Sequence, residues 1–448
     1  MVHHRPENTF QTLFGQPFWD AKEQESMPRS VLAFISSANV SNNRDLLELQ
    51  VEVVSEASCH RLADLRYFNT TPGRAQDFEE LEVAFAVIEI NTNDALRLFA
   101  TESVETLEGR WRQLSLGPSW GDGPRIQFLS SLEDTEGSSQ SIVGSSAPDP
   151  MVVGRLSTNL GTMATWTDIW TLLDSYPDRP LDIGVLDVGQ AASAFLFHNQ
   201  RQPQIYFDLG RPIWKNIHTF PANKVTWCFS QKPLVILSHW HWDHWSAAST
   251  KAAAGALKMH WICPDQPTGG ATRRFQAKIL AATGSIILWP ASLPPISTGY
   301  LSLGRASGSK CNDSGLVLLN KSVRGGYALL PGDAPYHRIH TDIAQLYATK
   351  GLETLLISHH GGDYGGGPIP KPDGRVPNIA VCSVGDKNTY GHPTHNGDHT
   401  SVGWTVVGTD ARQQGQPAHH LNAYTGGLNG QRTRPACGGQ FCSLELWD

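Results

Sequence analysis

The sequence predicts an α+β front part followed by an α/β layered rear part, and three observations carry that expectation. Residues 31–37 (VLAFISS), 48–54 (ELQVEVV) and 82–90 (EVAFAVIEI) alternate or run in β-branched residues, as half-buried strands do. From residue 181 short apolar runs follow one another: LDIGVLDVG, ASAFLFH, QIYFDLG, PLVILSH, GSIILWP, GLVLLN, YALLPGD, TLLISHH and NIAVCSVG. Helical stretches at 245–258, 271–282 and 340–350 separate some of them, and several runs end in His or Asp, which places a site along one sheet edge.

Between these parts the sequence is less regular. Residues 93–115 mix polar and apolar positions in a way that can contain a helix, and 162–175 (TMATWTDIWTLLDS) reads as another. The Ser-, Gly-, Pro- and acid-rich stretch around 131–150 reads as a linker. The domain reading is therefore 1–130, an α+β domain of unassigned role, 131–150, a linker, and 151–448, the domain that carries the chemistry. No internal repeat is visible, and the Gly-rich tail from 413 reads as a loop before a final strand, CSLELW.

With 448 residues, 40% hydrophobic and 17% charged, the composition is that of a folded chain with a sizeable core. No apolar run approaches the roughly 18–20 residues of a membrane-spanning helix, and MVHHRPENTF lacks the pattern of a signal peptide, so the expected location is cytoplasmic, with no membrane partner. The seven cysteines show no framework spacing; Cys437 and Cys442 lie close together but have no further Cys or His pair beside them, and read as ordinary thiols. The net charge of −7 is uneven: 26 acidic against 13 basic residues in 1–180 leave 16 against 22 in 181–448. A basic rear part suits a phosphate-bearing substrate, and an acidic front part suits a protein partner.

The decisive run is PLVILSHWHWDHWSAA (233–248), in which an apolar strand empties into a loop offering His239, His241, Asp243 and His244 within six residues. Nitrogen and oxygen donors of this kind suit zinc and neighbouring divalent metals. One ion cannot comfortably take all four from so short a segment, so two are expected, His239 and His241 leaning to one and Asp243 and His244 to the other.

HxHxDH after a strand resembles the signature of the metallo-β-lactamase superfamily, and further elements follow in order. QIYFDLG (204–210) is similar to the family's first motif, where Asp208 would support the metal loop without ligating. YALLPGD (327–333) is similar to the strand that delivers a bridging carboxylate, here Asp333, and LLISHHGG (355–362) to the strand that supplies the last histidine, His359 by its place at the strand end, with His360 as the other choice. Within that superfamily, VLDVGQAASAFLF (185–197), CNDSGLVLL (311–319), SVGDKNTYGHP (383–393) and VGWTVVGTDAR (402–412) resemble the hydrolase domain of the competence DNA-uptake family ComEC. The chain departs from that pattern at Ala191 and Ala192 and at Trp245 and Ser246, and Asn312 or Asp313 stands where a further ligand of the first ion is sought.

The resemblance implies an αββα sandwich, two divalent ions (zinc, with manganese as alternative) and hydrolysis by a metal-activated water, with Asp243 as ligand and orienter of that water. His392 would stand near the substrate phosphate or serve as a structural imidazole; Lys387, Asn388 and Tyr390 are further substrate contacts, while His395 and His399 read as surface residues. Trp240, Trp242 and Trp245 interleave the ligands, and would either stack bases of a single strand or wall the site. The expected function is a phosphodiesterase or nuclease, single-stranded DNA favoured. A small phosphodiester such as a cyclic nucleotide, or another ester, is the alternative, and a regulated effector whose acidic front domain binds a protein is a third.

Overall fold

The computed structural model describes residues 29–40, 45–63, 78–79, 81–119, 123–129, 137–176, 179–198, 202–221, 225, 227–322, 325–374, 378–410 and 421–423. Contacts divide the chain into two compact units: Met1–Leu160 with Ser249–Lys251 and Pro267–Ala281, and Gly161–Ala248 with Ala252–Gln266 and Ala282–Asp448.

The first unit is a closed barrel. Its strands are β1 (Ser30–Val40), β2 (Leu46–Ser55), β3 (Val83–Asn91), β4 (Trp111–Gly117), β5 (Arg125–Leu129) and β6 (Ser138–Ser146), in the order β1-β2-β3-β5-β6-β4, with every neighbouring pair antiparallel. Period-two alternation fills it: Val31, Ala33 and Ile35 on β1, Leu47, Leu49, Val51 and Val53 on β2, and Ala84, Ala86, Ile88 and Ile90 on β3 share one buried cluster. Helices α1 (Glu56–Ala63), α2 (Thr92–Leu98) and α3 (Pro150–Ser157) flank these strands in the chain.

The second unit holds α4 (Trp166–Asp174), whose start is fixed by a reciprocal Thr165–Asp168 cap, and two mixed sheets. The first sheet contains β7 (Thr162–Met163), β8 (Asp182–Val185), β9 (Ala194–His198), β10 (Gln202–Phe207), β11 (Leu234–Ile236), β12 (His260–Pro264) and β13 (Ser285–Trp289). The second contains β14 (Ile296–Ser297), β15 (Leu301–Arg305), β16 (Leu316–Lys321), β17 (Tyr327–Leu330), β18 (Leu352–Leu356), β19 (Ile379–Cys382) and β20 (Thr405–Gly408), while β21 (Leu421–Ala423) joins the edge of the first beside β8. The run β10-β11-β12-β13-β7 is parallel, as is β17-β18-β19-β20, and the remaining neighbours are antiparallel. One apolar cluster draws on both sheets, including Ile183, Phe207 and Ile236 from the first and Leu318, Leu330 and Val381 from the second.

The expected αββα sandwich with an α+β front domain is overturned by a closed antiparallel barrel and two mixed sheets. Three local reasons explain the difference. The helix expected in 93–115 stops at Leu98, and Gly109 takes the left-handed conformation (φ 80°) before β4 begins. The stretch 131–150, expected as a linker, supplies β6 from residue 138, a polar strand (SSQSIVGSS) whose backbone bonds to β4 and β5. The helix expected at 245–258 is reduced to one turn, α5 (Trp242–Trp245), followed by 3-10 turns, since Trp261 Nε1 takes the Ala256 carbonyl and Gly255 lies so close to Phe229 that a Cβ would sit 2.6 Å from its ring.

The other expected helices are present as α6 (Gly270–Ala281), which belongs to the barrel unit, and α7 (Thr341–Lys350). The start of α6 is tied to the barrel by Glu52, a buried carboxylate that accepts the Thr272 N–H at 2.8 Å and its hydroxyl at 2.7 Å. A negative charge against the positive end of a helix is favourable. Among the described residues no helix is long and apolar enough to cross a membrane. Cys437, Cys442 and the expected strand CSLELW lie outside the described residues.

Candidate metal centre

The site residues follow the C-terminal ends of parallel strands: Asp208 after β10, Ser238 and His239 after β11, Asp333 after β17, His360 after β18 and Ser383 after β19. Such ends leave several loops facing one crevice. The loop after β11 is held in place by close backbone approach. Gly210 packs so tightly that a Cβ would lie 1.7 Å from the Asp243 carbonyl oxygen, and Gly332, at φ 58°, abuts Ser238.

Two overlapping groups of ligand atoms result, His239 with His244 and Asp333, and Asp243 with His244 and His360, each with all its atoms within 4.8 Å of one another. His244 Nε2 stands 3.3 Å from Asp333 Oδ1 and 3.8 Å from Asp243 Oδ1; His239 Nε2 is 3.7 Å from Asp333 Oδ2, and His360 Nε2 is 3.3 Å from Asp243 Oδ2.

The hydrogen bonds behind these groups fix the imidazole tautomers. His244 Nδ1–H donates to Asp208 Oδ2 at 2.8 Å and His360 Nδ1–H to the Ser383 carbonyl at 2.7 Å. The Ser238 hydroxyl donates to Asp208 Oδ2 at 2.8 Å, so its lone pair is left to accept from His239 Nδ1 at 3.0 Å. All three Nε2 atoms therefore carry lone pairs towards the centre, and all three are buried without a hydrogen-bond partner. A buried lone pair without a donor is costly, and three converging on two carboxylates form a donor set that fits a divalent cation.

Electrostatics agree with that reading. Burial opposes a charged His244, but Asp333, Asp208 and Asp243 outweigh it and hold its pKa well above the usual imidazole range. Burial likewise opposes ionised Asp333 and Asp243, yet His244 and the neighbouring histidines keep both below the usual carboxylate range. Burial, with His244 beside it, pushes His239 well below its ordinary value. The centre therefore concentrates negative charge on buried oxygens, a charge that a cation would neutralise.

No protein-family model matches the chain, and no curated protein matches it. The assignment of the site rests on its own geometry.

That geometry redistributes several expected roles. His244, rather than His241, shares a group with His239; His241 belongs to neither group, and its ring stands edge-on to His239 with centroids 4.7 Å apart. His360 joins Asp243 and His244, whereas His359 keeps its Nε2 3.9 Å from Asp333 on a more exposed ring at the rim. Both residues adopt left-handed backbone, φ 52° and 54°, which turns consecutive side chains in different directions. Asp208 supports the loop from behind, as expected, through the Ser238 amide as well.

Asp313 spends its carboxylate on the Lys310 amide at 2.6 Å, and neither it nor Asn312 belongs to the two groups. Asn388 is buried and committed to its own turn, donating to the carbonyls of Gly385 and His392 and accepting the His392 amide, so it is withdrawn from the expected substrate contact. Lys387 is exposed, and Tyr390 lies against His392 with centroids 5.7 Å apart. His392 is mostly buried, faces His359 and bonds through Nδ1 to Gln190. Trp240, Trp242 and Trp245 are buried, which leaves none of them open as a stacking face; Trp240 Nε1 donates to the Pro264 carbonyl and Trp245 Nε1 to the Trp240 carbonyl. His395 is partly exposed and bonds Asp398, but His399, expected at the surface, is fully buried. Ser238, Gln190 and Ser383 were not singled out by the sequence; their work is done by hydrogen bonds to residues distant in the chain, which spacing does not reveal.

Proposed function

We propose that the chain is a metal-dependent phosphodiesterase that cleaves nucleic-acid strands, single-stranded DNA foremost. The observation that carries this reading is the convergence, from three separate strand ends, of three buried Nε2 lone pairs with the Asp243 and Asp333 carboxylates. The motif resemblance and the basic balance of residues 181–448 support the phosphodiester as substrate.

A zinc or manganese ion in that donor set supplies electrophilic stabilisation of phosphoryl oxygens and lowers the pKa of a water. His239, His244 and Asp333 form one group that would hold such an ion, and Asp243, His244 and His360 form the other. Asp243, whose side chain is a quarter exposed, belongs to the donor set and is placed to accept a hydrogen bond from the attacking water and so orient it. Gln190 takes the Gly385 amide on its oxygen, so its nitrogen donates to His392 Nδ1 and leaves the proton on His392 Nε2. A neutral His392 then offers one N–H to a phosphate oxygen or leaving group, and Lys387 adds an exposed charge nearby in sequence.

A second reading, a small phosphodiester such as a cyclic nucleotide, is favoured by the burial of Trp240 and Trp242, which removes the aromatic faces a strand would stack on. Elemental analysis of the purified chain, coupled to digestion of labelled single-stranded DNA, duplex DNA and cyclic nucleotides with added zinc or manganese, separates the two. Cleavage of the single strand that is lost in His244→Ala supports the first reading; cleavage of cyclic nucleotides alone replaces it with the second. No metal uptake, or undiminished cleavage by His244→Ala, overturns both.

A further inference from the structure

Behind the turn that carries His359 and His360 runs a chain of buried hydrogen bonds that the proposed chemistry does not use. His399, in the short helix α8 (Asn396–Ser401), has its Nδ1 2.9 Å from the His395 carbonyl. A carbonyl only accepts, so Nδ1 carries the ring proton and Nε2 presents a lone pair. That lone pair lies 2.8 Å from the hydroxyl of Tyr336, which stands in the 3-10 turn Tyr336–Arg338 after β17. The tyrosine O–H must therefore donate to His399, and its oxygen is left to accept from the Ser358 amide, 3.2 Å away. Ser358 donates its own hydroxyl to the Ala334 carbonyl at 2.9 Å, one residue beyond Asp333.

Every direction in this chain is determined, and it ends on the residue before two consecutive left-handed histidines. Left-handed backbone in a non-glycine residue is costly and persists only where the surroundings enforce it. Burial keeps the Tyr336 hydroxyl protonated and holds His399 towards its neutral form, as both hydrogen bonds require.

We infer that Tyr336 and His399 are positioning residues for the metal centre: the relay His395 carbonyl–His399–Tyr336–Ser358 amide clamps the entrance of the 358–361 turn, so that His360 Nε2 points at Asp243 and Asp333. The inference rests on the metal-dependent reading above. It assigns to a helix outside the ligand set a share in metal affinity.

The test uses the full chain and Zn2+ competed against a chelator, with three variants. Tyr336→Phe deletes only the hydroxyl and is expected to weaken zinc affinity by ~10–100-fold, the usual effect of removing a group that orients a ligand. His399→Leu is expected to match it. His399→Gln, which can place an amide oxygen near the former Nε2 and accept the tyrosine O–H, is expected to recover most of the affinity, a rescue that loss of packing alone would not give. Amide exchange of the 355–362 peptide in the metal-free chain should accelerate in Tyr336→Phe and His399→Leu but not in His399→Gln. Wild-type affinity in Tyr336→Phe, or equal loss in His399→Leu and His399→Gln, overturns the inference while leaving the metal centre standing. Failure of the unaltered chain to bind zinc or manganese overturns the metal-dependent reading itself, and the inference with it.

Discussion

Changing Asp208 to Asn alters one atom and keeps the shape of the side chain, yet it reverses the hydrogen-bond logic beneath the candidate metal centre. The carboxylate accepts three donors: the Ser238 amide at 2.7 Å on Oδ1, and the Ser238 hydroxyl and His244 Nδ1, both at 2.8 Å, on Oδ2. Asn keeps an acceptor for the amide only, and turns an NH2 towards the two remaining donors. The hydroxyl can rotate and accept, but His244 has to move its proton from Nδ1 to Nε2, the atom a cation needs. A hydrogen bond to a charged group is worth about 1.5–3 kcal/mol. Most of that loss falls on the metal-bound state, because only there is the Nε2 lone pair required. Zinc affinity, read by competition with a chromophoric chelator, should therefore fall by ~10–100-fold, or about 1.4–2.7 kcal/mol. A variant that folds and binds zinc within about twofold of the unaltered chain would refute the claim that Asp208 sets the His244 tautomer.

Further outcomes follow from the same geometry. His360→Ala should lose at least about tenfold more zinc affinity than His359→Ala, measured by calorimetry, because His360 belongs to the ligand group and His359 lies at the rim. Gly210→Ala would put a methyl 1.7 Å from the Asp243 carbonyl, and should lower stability by about 1–3 kcal/mol or more on thermal unfolding, with zinc affinity falling as the loop shifts. In the metal-free chain, burial and the neighbouring His359 and His360 push His392 down from 6.5 to about 3. Because the unfolded chain binds that proton more readily, stability is complete above 6.5 and falls as pH drops from there towards 3, by no more than about 1.4 kcal/mol per pH unit from this residue. Urea midpoints across that range should be flatter in His392→Gln; an unchanged slope would show that the imidazole is not held neutral.

The parts of the molecule that were legible in the sequence are those with strong periodicity or dense chemistry. β1, β2 and β3 stand where apolar alternation placed them, and α7 begins within one residue of its expected start. The cluster after β11 was visible because metal-ligating residue types rarely crowd so closely. The barrel was not, since its last three strands give a weaker signal: β4 and β5 are short, and β6 is mostly Ser and Gly and is held by backbone bonds to β4 and β5 more than by apolar side chains. Choosing between His359 and His360 was beyond spacing, because two left-handed residues in succession decide which ring turns inward. His399 reads as a surface residue in the sequence, yet the short helix NGDHTS packs that one side chain against Tyr336.

Closure of the barrel limits how another protein can engage the acidic front part. Over residues 31–34, β1 is bonded on one side to β2 and on the other to β4, so among the described residues that stretch presents no open row of amides and carbonyls onto which a foreign strand can be added. Recognition at that part of the barrel wall would be made by side chains, and would be sensitive to point substitutions and to salt rather than to backbone register.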